Sequence, residues 1–323
     1  MSVTLVWRSD VHLADQPPQS RTDNWAETLL GKLEQVGEVA KRVKAQAVLD
    51  GGDFFHIKSP GRNTHALVRQ VALLHKGYSC PVYGNVGNHD VKWGNKDYLE
   101  ESPLGVLFDS GVFHRLYDEH EAVFTSKGVT VRVVGIPYHG TQYDMNRFTT
   151  ITKGEEDYLV VMAHCLASPK GGTMFEAEDI ISYNDLANLD PDVWCFGHWH
   201  KDQGVIEYGS KWIVNVGSLS RGSIAVDDLA RTPSCAVLTF TKEEIKVVSV
   251  PLEVEPVEAV FDLDRRDRET SRKETVETLV ENILKTLGKK QSASLLNEVR
   301  SMPEISELVR ERTISYLEIV GAS

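Results

Sequence analysis

The chain has 323 residues, 41% of them hydrophobic and 25% charged, with a formal net charge of −12. That length exceeds a typical single domain, and no uninterrupted apolar stretch approaches the roughly 20 residues of a membrane-spanning helix. The acidic balance excludes a surface that is basic all over for gripping nucleic acid, although bound cations can still attract a phosphodiester locally. The opening "MSVTLVWRSD" lacks the basic region and long apolar segment of a signal peptide and reads as a first strand. Cys80, Cys165, Cys195 and Cys235 form no CxxC pair, which fits reduced core thiols in a cytoplasmic protein.

In chain order, "VTLVW" (3–7) reads as a buried strand. It is followed by a helix with Leu29, Leu33, Val36, Val39, Ala40 and Val43 at helical spacing. "AVLDGGD" is a second strand, "HALVRQVALLHKG" a helix stopped by glycine, and "PVYGNVGNHD" a third strand running into a loop. Strands alternating with helices imply parallel pairing with right-handed crossovers. From about residue 112 the texture turns strand-rich, with "SKG" at the bend of a hairpin. The expectation is two packed sheets with helices outside. Composition shifts again near "PLEVEPVEAVFDLD", so a catalytic domain is placed at 1–252 and a helical C-terminal extension at 253–323. In that extension "SRKE" (Ser271 to Glu274) fits a capping box, and Pro303 is placed to open a last helix.

Five motifs end apolar runs: "WRSDVH" (Asp10, His12), "LDGGDFFH" (Asp53, His56), "GNVGNHD" (Asn88, His89, Asp90), "VVMAHC" (His164) and "CFGHWH" (His198, His200). Reactive groups in open α/β sheets gather where strands end. Carboxylate, amide and imidazole donors together suit manganese or iron and are compatible with zinc or magnesium. Two ions about 3.5–4 Å apart need one ligand that reaches both, and Asp53, with glycine neighbours, is the candidate. One ion then takes Asp10, His12 and His200, the other Asn88, His164 and His198. Asp10 and His12 reach one ion only if the strand has already turned into loop. The chemistry expected is in-line attack on phosphorus by hydroxide activated between the two metals. His89 serves as acid or orienting group, with Asp90 holding its other nitrogen.

The duller readings are set beside these. His65, His75, His114, His120 and His139 are expected to be structural. Lys58, Arg62, Lys92 and Lys96 either make a basic mouth or a solvated face. Trp93 and Trp199 either stack on a base or pack. "SPKGGTMFEAED", after His164, reads as a mobile loop that gates access.

On these residues the chain resembles the calcineurin-like metallophosphoesterases, whose pattern is D-x-H, G-D, G-N-H-D/E, a lone H and G-H-x-H. It is matched by "DVH", Gly52–Asp53, "GNHD", His164 and "GHWH" over roughly residues 3–250. The resemblance implies a four-layer αββα sandwich. Within the superfamily the chain is most similar to the SbcD-type double-strand-break-repair nucleases, through "GGDFFH", "VGIPY" and "NVGSLSRG". That likeness implies two divalent ions, most often Mn2+ (with Fe2+, Zn2+ or Mg2+ as alternatives), and 3′-to-5′ exonuclease and endonuclease action on DNA. It also implies a homodimer and an SMC-like ATPase partner. His56 would orient the DNA backbone or assist exonucleolytic cleavage, and His89 would aid leaving-group protonation. The departure is C-terminal: only about seventy residues follow the catalytic domain, so the DNA-contacting cap is reduced or replaced, as in phage-encoded or otherwise minimal nucleases. The competing readings are a phosphodiesterase or phosphatase for a nucleotide or other small phosphoester, and a non-catalytic module that has kept the fold.

Overall fold

The structure, a computed structural model, describes residues 2–56, 63–174 and 178–265, with 299–300, 310–311 and 313–314 beyond them. The first half runs β1 (Val3–Arg8), α1 (Trp25–Val43), β2 (Ala47–Asp50), α2 (His65–Lys76), β3 (Val82–Gly84), α3 (Pro103–Asp109) and β4 (Phe113–Arg115). The second half holds β5 (Glu121–Ser126), β6 (Val129–Ile136), β7 (Tyr158–His164), β8 (Ala167–Ser168), β9 (Gly172–Met174), β10 (Glu178–Ser182), β11 (Val193–Gly197), β12 (Gly204–Tyr208) and β13 (Lys211–Asn215). β14 (Ser234–Phe240) and β15 (Ile245–Pro251) follow.

Among the described residues there are two six-stranded sheets, ordered β15-β14-β1-β2-β3-β4 and β12-β13-β11-β7-β6-β5. β1 through β4 pair in parallel, as do β6, β7, β11 and β13, while β14, β15, β5 and β12 join antiparallel. Strand alternation explains the layering. On β1, Val3, Leu5 and Trp7 face Val131, Val133, Met162 and Cys195 of the other sheet, in the core between the sheets. Val6 turns outward to Leu29, Leu33 and Val36 of α1. On β7 and β11 the outward residues Val161, Ala163, Trp194 and Phe196 pack under Phe148, Tyr183 and Leu186. Strands buried on both faces read as continuous apolar runs. The mixed α/β sandwich with helices outside is therefore the architecture expected.

α1 spans the residues that the helical spacing indicated and is capped by Asn24. α2 is capped by Thr64, whose Oγ1 accepts from Leu67 N–H at 3.2 Å. A compact unit ends at Asp262, and a second covers Leu263–Ser323. Leu252 is buried, and Phe261 bridges Arg21 in the first unit. The capping box at Ser271 and the helix opening at Pro303 lie outside the described residues. The segment after His164 differs from expectation. Its described residues form β8, β9 and β10, a three-stranded sheet in which Asp179 pairs with Thr173 and Ile181 with Ala167. Strands this short carry too little alternation to be seen in sequence. No helix among the described residues is long and apolar enough to cross a membrane.

Candidate metal centre

β1 ends at Arg8 and β11 at Gly197, so Asp10, His12, His198 and His200 all lie in the loops beyond. The chain turns there by an uncommon route. Asp10, His12, Asp53 and His198 have φ of 54°, 51°, 52° and 86°, left-handed values that non-glycine residues rarely adopt. The turn into loop that lets Asp10 and His12 face one point is thus present. Backbone bonds stitch the first two loops together: Asp10 N–H to Gly52 O at 3.1 Å, His12 N–H to Asp53 O at 2.9 Å and His56 N–H to Leu13 O at 3.0 Å. Asn85 joins the sheets, its Nδ2 donating to Ile136 O at 2.8 Å.

Three donor groups result among the described residues, and two of them share Asp53. Asp10, His12, Asp53 and His200 form one, Asp53, His164 and His198 the second, and His12, His56 and His89 the third, with donor atoms in each group within 4.8 Å of one another. His12 Nε2 lies 2.8 Å from His200 Nε2 and 3.7 Å from Asp53 Oδ2. His164 Nε2 lies 3.3 Å from the same Asp53 oxygen and 3.3 Å from Asn88 Oδ1. Gly87 is required here, because a Cβ would overlap Asp53 Oδ1 and approach His164 Cε1.

The donors are fixed from behind. His164 Nδ1 donates to Gly51 O at 2.9 Å, which turns Nε2 into the centre. Glu178 Oε1 sits 2.9 Å from His198 Nε2 and receives the Tyr143 hydroxyl at 2.8 Å, leaving Nδ1 of His198 for the centre. Asp10 accepts the His198 N–H at 3.0 Å, and Ser218 Oγ donates to Asp10 O at 2.6 Å.

Burial and the neighbouring His200 hold the His12 imidazole well below its ordinary pKa, so it is neutral, the state that binds metal. Burial opposes ionisation of Asp53, but His164, His89 and His12 outweigh it and hold its carboxyl well below the usual range. Burial likewise opposes charge on His164, and Asp53 outweighs it, pushing the pKa up to about 9. Asp53 Oδ2 is fully buried and faces the His164 imidazole at 3.3 Å and the His12 imidazole at 3.7 Å. A buried carboxylate oxygen set between imidazoles fits a cation that would displace the His164 proton.

His89 and His56 join the same centre. His89 N–H donates to Asp53 Oδ1 at 2.7 Å, and its ring stacks on His56 with centroids 4.7 Å apart. His56 Nδ1 lies 3.3 Å from His12 Nδ1. Asp90 does a different job from the expected pairing with His89. Its Oδ2 accepts from Asp53 N–H at 2.7 Å and Gly87 N–H at 2.9 Å, and its Oδ1 from Phe55 N–H at 3.0 Å. It clamps two ligand loops together.

Of the other candidates, His75 bonds Arg8 and Val71 O, and His139 bonds Pro137 O, both structural as expected. Lys96 pairs with Asp118. Lys58 and Arg62 lie outside the described residues. Cys165 and Cys195 are fully buried with thiols pushed up by burial, so they are core groups. Glu178 and Tyr143 had no sequence signal: one acid among several in a glycine-containing stretch, and one tyrosine outside the five metal-site motifs.

A two-sheet α/β sandwich that gathers two His/Asp groups around a shared carboxylate at its loop ends is a binuclear metal-dependent phosphoesterase. The family model described as calcineurin-like phosphoesterase matches residues 4–202, and the chain belongs to that family. No curated protein sequence matches it. Similar solved structures include a dimetal phosphatase from Danio rerio, at 12% identity and TM-score 0.48, covering 76% of this chain and 98% of that one. TT1561 of Thermus thermophilus is similar at 13% identity and TM-score 0.41, covering 77% and 99%. NAD nucleotidase (NadN) of Haemophilus influenzae is similar at 12% identity and TM-score 0.45, covering all of this chain and 60% of that one.

Proposed function

We propose that the chain is a DNA nuclease of the SbcD type, hydrolysing phosphodiesters from strand ends or internally with Mn2+ as its native metal. The observation that carries this reading is His56, three residues after Asp53, stacked on His89 and facing the outer nitrogen of His12. A phosphatase for a small ester has no need of a third imidazole in that place, whereas a polymer substrate must be held as well as cut. Two divalent ions bound by Asp10, His12, His200 and by Asn88, His164, His198, with Asp53 shared, would polarise the phosphoryl oxygens and supply hydroxide at neutral pH. His89 is anchored by its own amide to Asp53 and lines the cleft with His198 and His200. From there it donates the proton to the departing deoxyribose oxygen. His56 orients His89 and the backbone of the strand. Asp10 would hold metal and also, like Asp90, fixes the loops that present the ligands.

A second reading is a phosphodiesterase or phosphatase acting on a nucleotide. It is favoured by the cleft wall of Asp202, Asp227 and Asp228 and by the net charge of −12. The deciding experiment is manganese-dependent hydrolysis of end-labelled single- and double-stranded DNA beside bis-p-nitrophenyl phosphate, with Asp53→Ala and His56→Ala. The nuclease reading expects DNA shortening lost in both variants. Cleavage of the small diester alone, insensitive to His56, overturns it. A homodimer, an SMC-like ATPase partner and an intracellular setting belong to the same proposal. Sedimentation of the purified chain tests the first.

A further inference from the structure

Among the described residues, two grooves border the metal-ligand loops. One, about 500 Å³, holds His89, His198 and His200 and is walled by acids: Glu178, Asp202, Asp227 and Asp228 against Lys201 and Arg231. Arg231 is already bound to Asp228 at 2.6 Å. The other, about 1120 Å³, begins at Asn88 and Tyr138 and runs between α2 and the 92–101 segment. Its charge is the reverse, with Arg69, Lys76 and Lys92 against Glu100 and Glu101. It exceeds the roughly 300–1,000 Å³ of a small-molecule pocket.

At the mouth of the second groove stands Trp93, 76% exposed and with φ of 58°. A bulky residue in left-handed backbone, presented to solvent, is unusual on both counts. Tyr98 buttresses the indole edge-on at 5.1 Å, and Lys92 Nζ lies 4.3 Å from its centroid. Gly94 brings this turn against the metal-ligand loop, where its Cβ position is 3.7 Å from Asn88 Cβ. An exposed indole with a cation over one of its faces meets both parts of a nucleotide, base by stacking on the other face and phosphate by charge.

We propose that this groove binds a single-stranded stretch of nucleic acid leaving the metal centre past Asn88, with a base stacked on Trp93 and phosphates facing Lys92, Arg69 and Lys76. The proposal rests on the nuclease reading. In a chain this acidic, the polyanion takes the one of the two exits with excess positive charge.

The test is fluorescence anisotropy of a labelled oligo-dT and of a matching abasic oligomer, with MnCl2 and on a His89→Ala background so that the metals stay bound and nothing is cut. Thermal melting of each variant checks the fold. Trp93→Ala is expected to bind oligo-dT about tenfold more weakly, Trp93→Phe to restore most of the loss, and both to bind the abasic oligomer like the parent. Arg69→Gln with Lys76→Gln is expected to weaken both oligomers and flatten the salt dependence. A parent that shortens DNA with manganese, with a His89→Ala background that binds oligo-dT irrespective of residue 93 or not at all in MnCl2, overturns the groove and leaves the nuclease reading standing. A parent that neither binds nor shortens DNA overturns both.

Discussion

Glu178 is the residue through which the two metal positions can be told apart. Its carboxylate lies 2.9 Å from His198 Nε2, and it is held there by the Tyr143 hydroxyl at 2.8 Å, itself fixed by Leu166 N–H at 2.9 Å. Burial opposes its charge, but His198 and Tyr143 outweigh it and keep the carboxyl below its ordinary range, so it is ionised at neutral pH. Loss of such an outer partner of a ligating histidine costs about 10–100-fold in metal affinity, or about 1.4–2.7 kcal/mol. Glu178→Ala is expected at the upper end. Glu178→Gln is expected near the lower, since an amide oxygen still accepts from Nε2 but without charge. Only the ion held by Asp53, His164 and His198 should weaken. Calorimetric titration of metal-free protein with MnCl2 resolves the two binding steps. Equal weakening of both, or of neither, in Glu178→Ala would refute the reasoning, because His200 and His12 do not touch this chain of bonds.

Three further outcomes follow from the geometry. Gly87→Ala drives a methyl into Asp53 Oδ1 and should abolish binding of both ions, measured in the same titration, since Asp53 serves both. Asp50→Ala strands the fully buried Arg8 guanidinium that it meets at 2.7 Å, which should cost about 3–5 kcal/mol in chemical denaturation; a loss below about 1 kcal/mol would show that His75 and Tyr78 suffice as partners. Lys32 is buried, and desolvation with Arg21, Arg221 and Arg231 pushes its pKa from 10.5 down to about 7. Between those values the unfolded chain carries a proton that the folded one has released, so this group makes stability rise with pH from about 7 to about 10.5, by at most about 5 kcal/mol. Lys32→Met should flatten that rise in melts between pH 7 and 10, and an unchanged slope would assign it to other groups.

Much of this architecture was legible because burial on both faces leaves apolar runs without alternation, as in "VTLVW", while α1 declares its stripe from Leu29 to Val43. Asn88, His164, His198 and His200 could be grouped because a mixed set of hard donors at strand ends has few other uses. The three-stranded sheet of β8, β9 and β10 was hidden because two to five residues carry no period. Its Glu178 was hidden because a residue that acts on a ligand from behind shares no motif with it. Asp90 was assigned by adjacency to His89, but its direction depends on the path of the loop, and that path delivers it to three amides.

The same reasoning by loop path applies to the four left-handed residues of the centre, Asp10, His12, Asp53 and His198. Each such non-glycine position costs about 1–3 kcal/mol and persists only where the surroundings fix it. Here the fixing groups include ligands themselves: Asp10 accepts the amide of strained His198, and Asp53 accepts the amide of His89 while its own amide is held by Asp90. The carboxylates that would bind metal therefore also hold the loops in the shape that presents them. Replacing one removes a donor and releases a strained turn together. This is why Asp10→Asn, which keeps an acceptor for the His198 amide, should bind metal poorly yet melt near the parent. Asp10→Ala should lose both, with a visibly lower melting temperature even in EDTA. Equal melting of the two variants would mean that the strain is held by Ser218 and the backbone stitches alone.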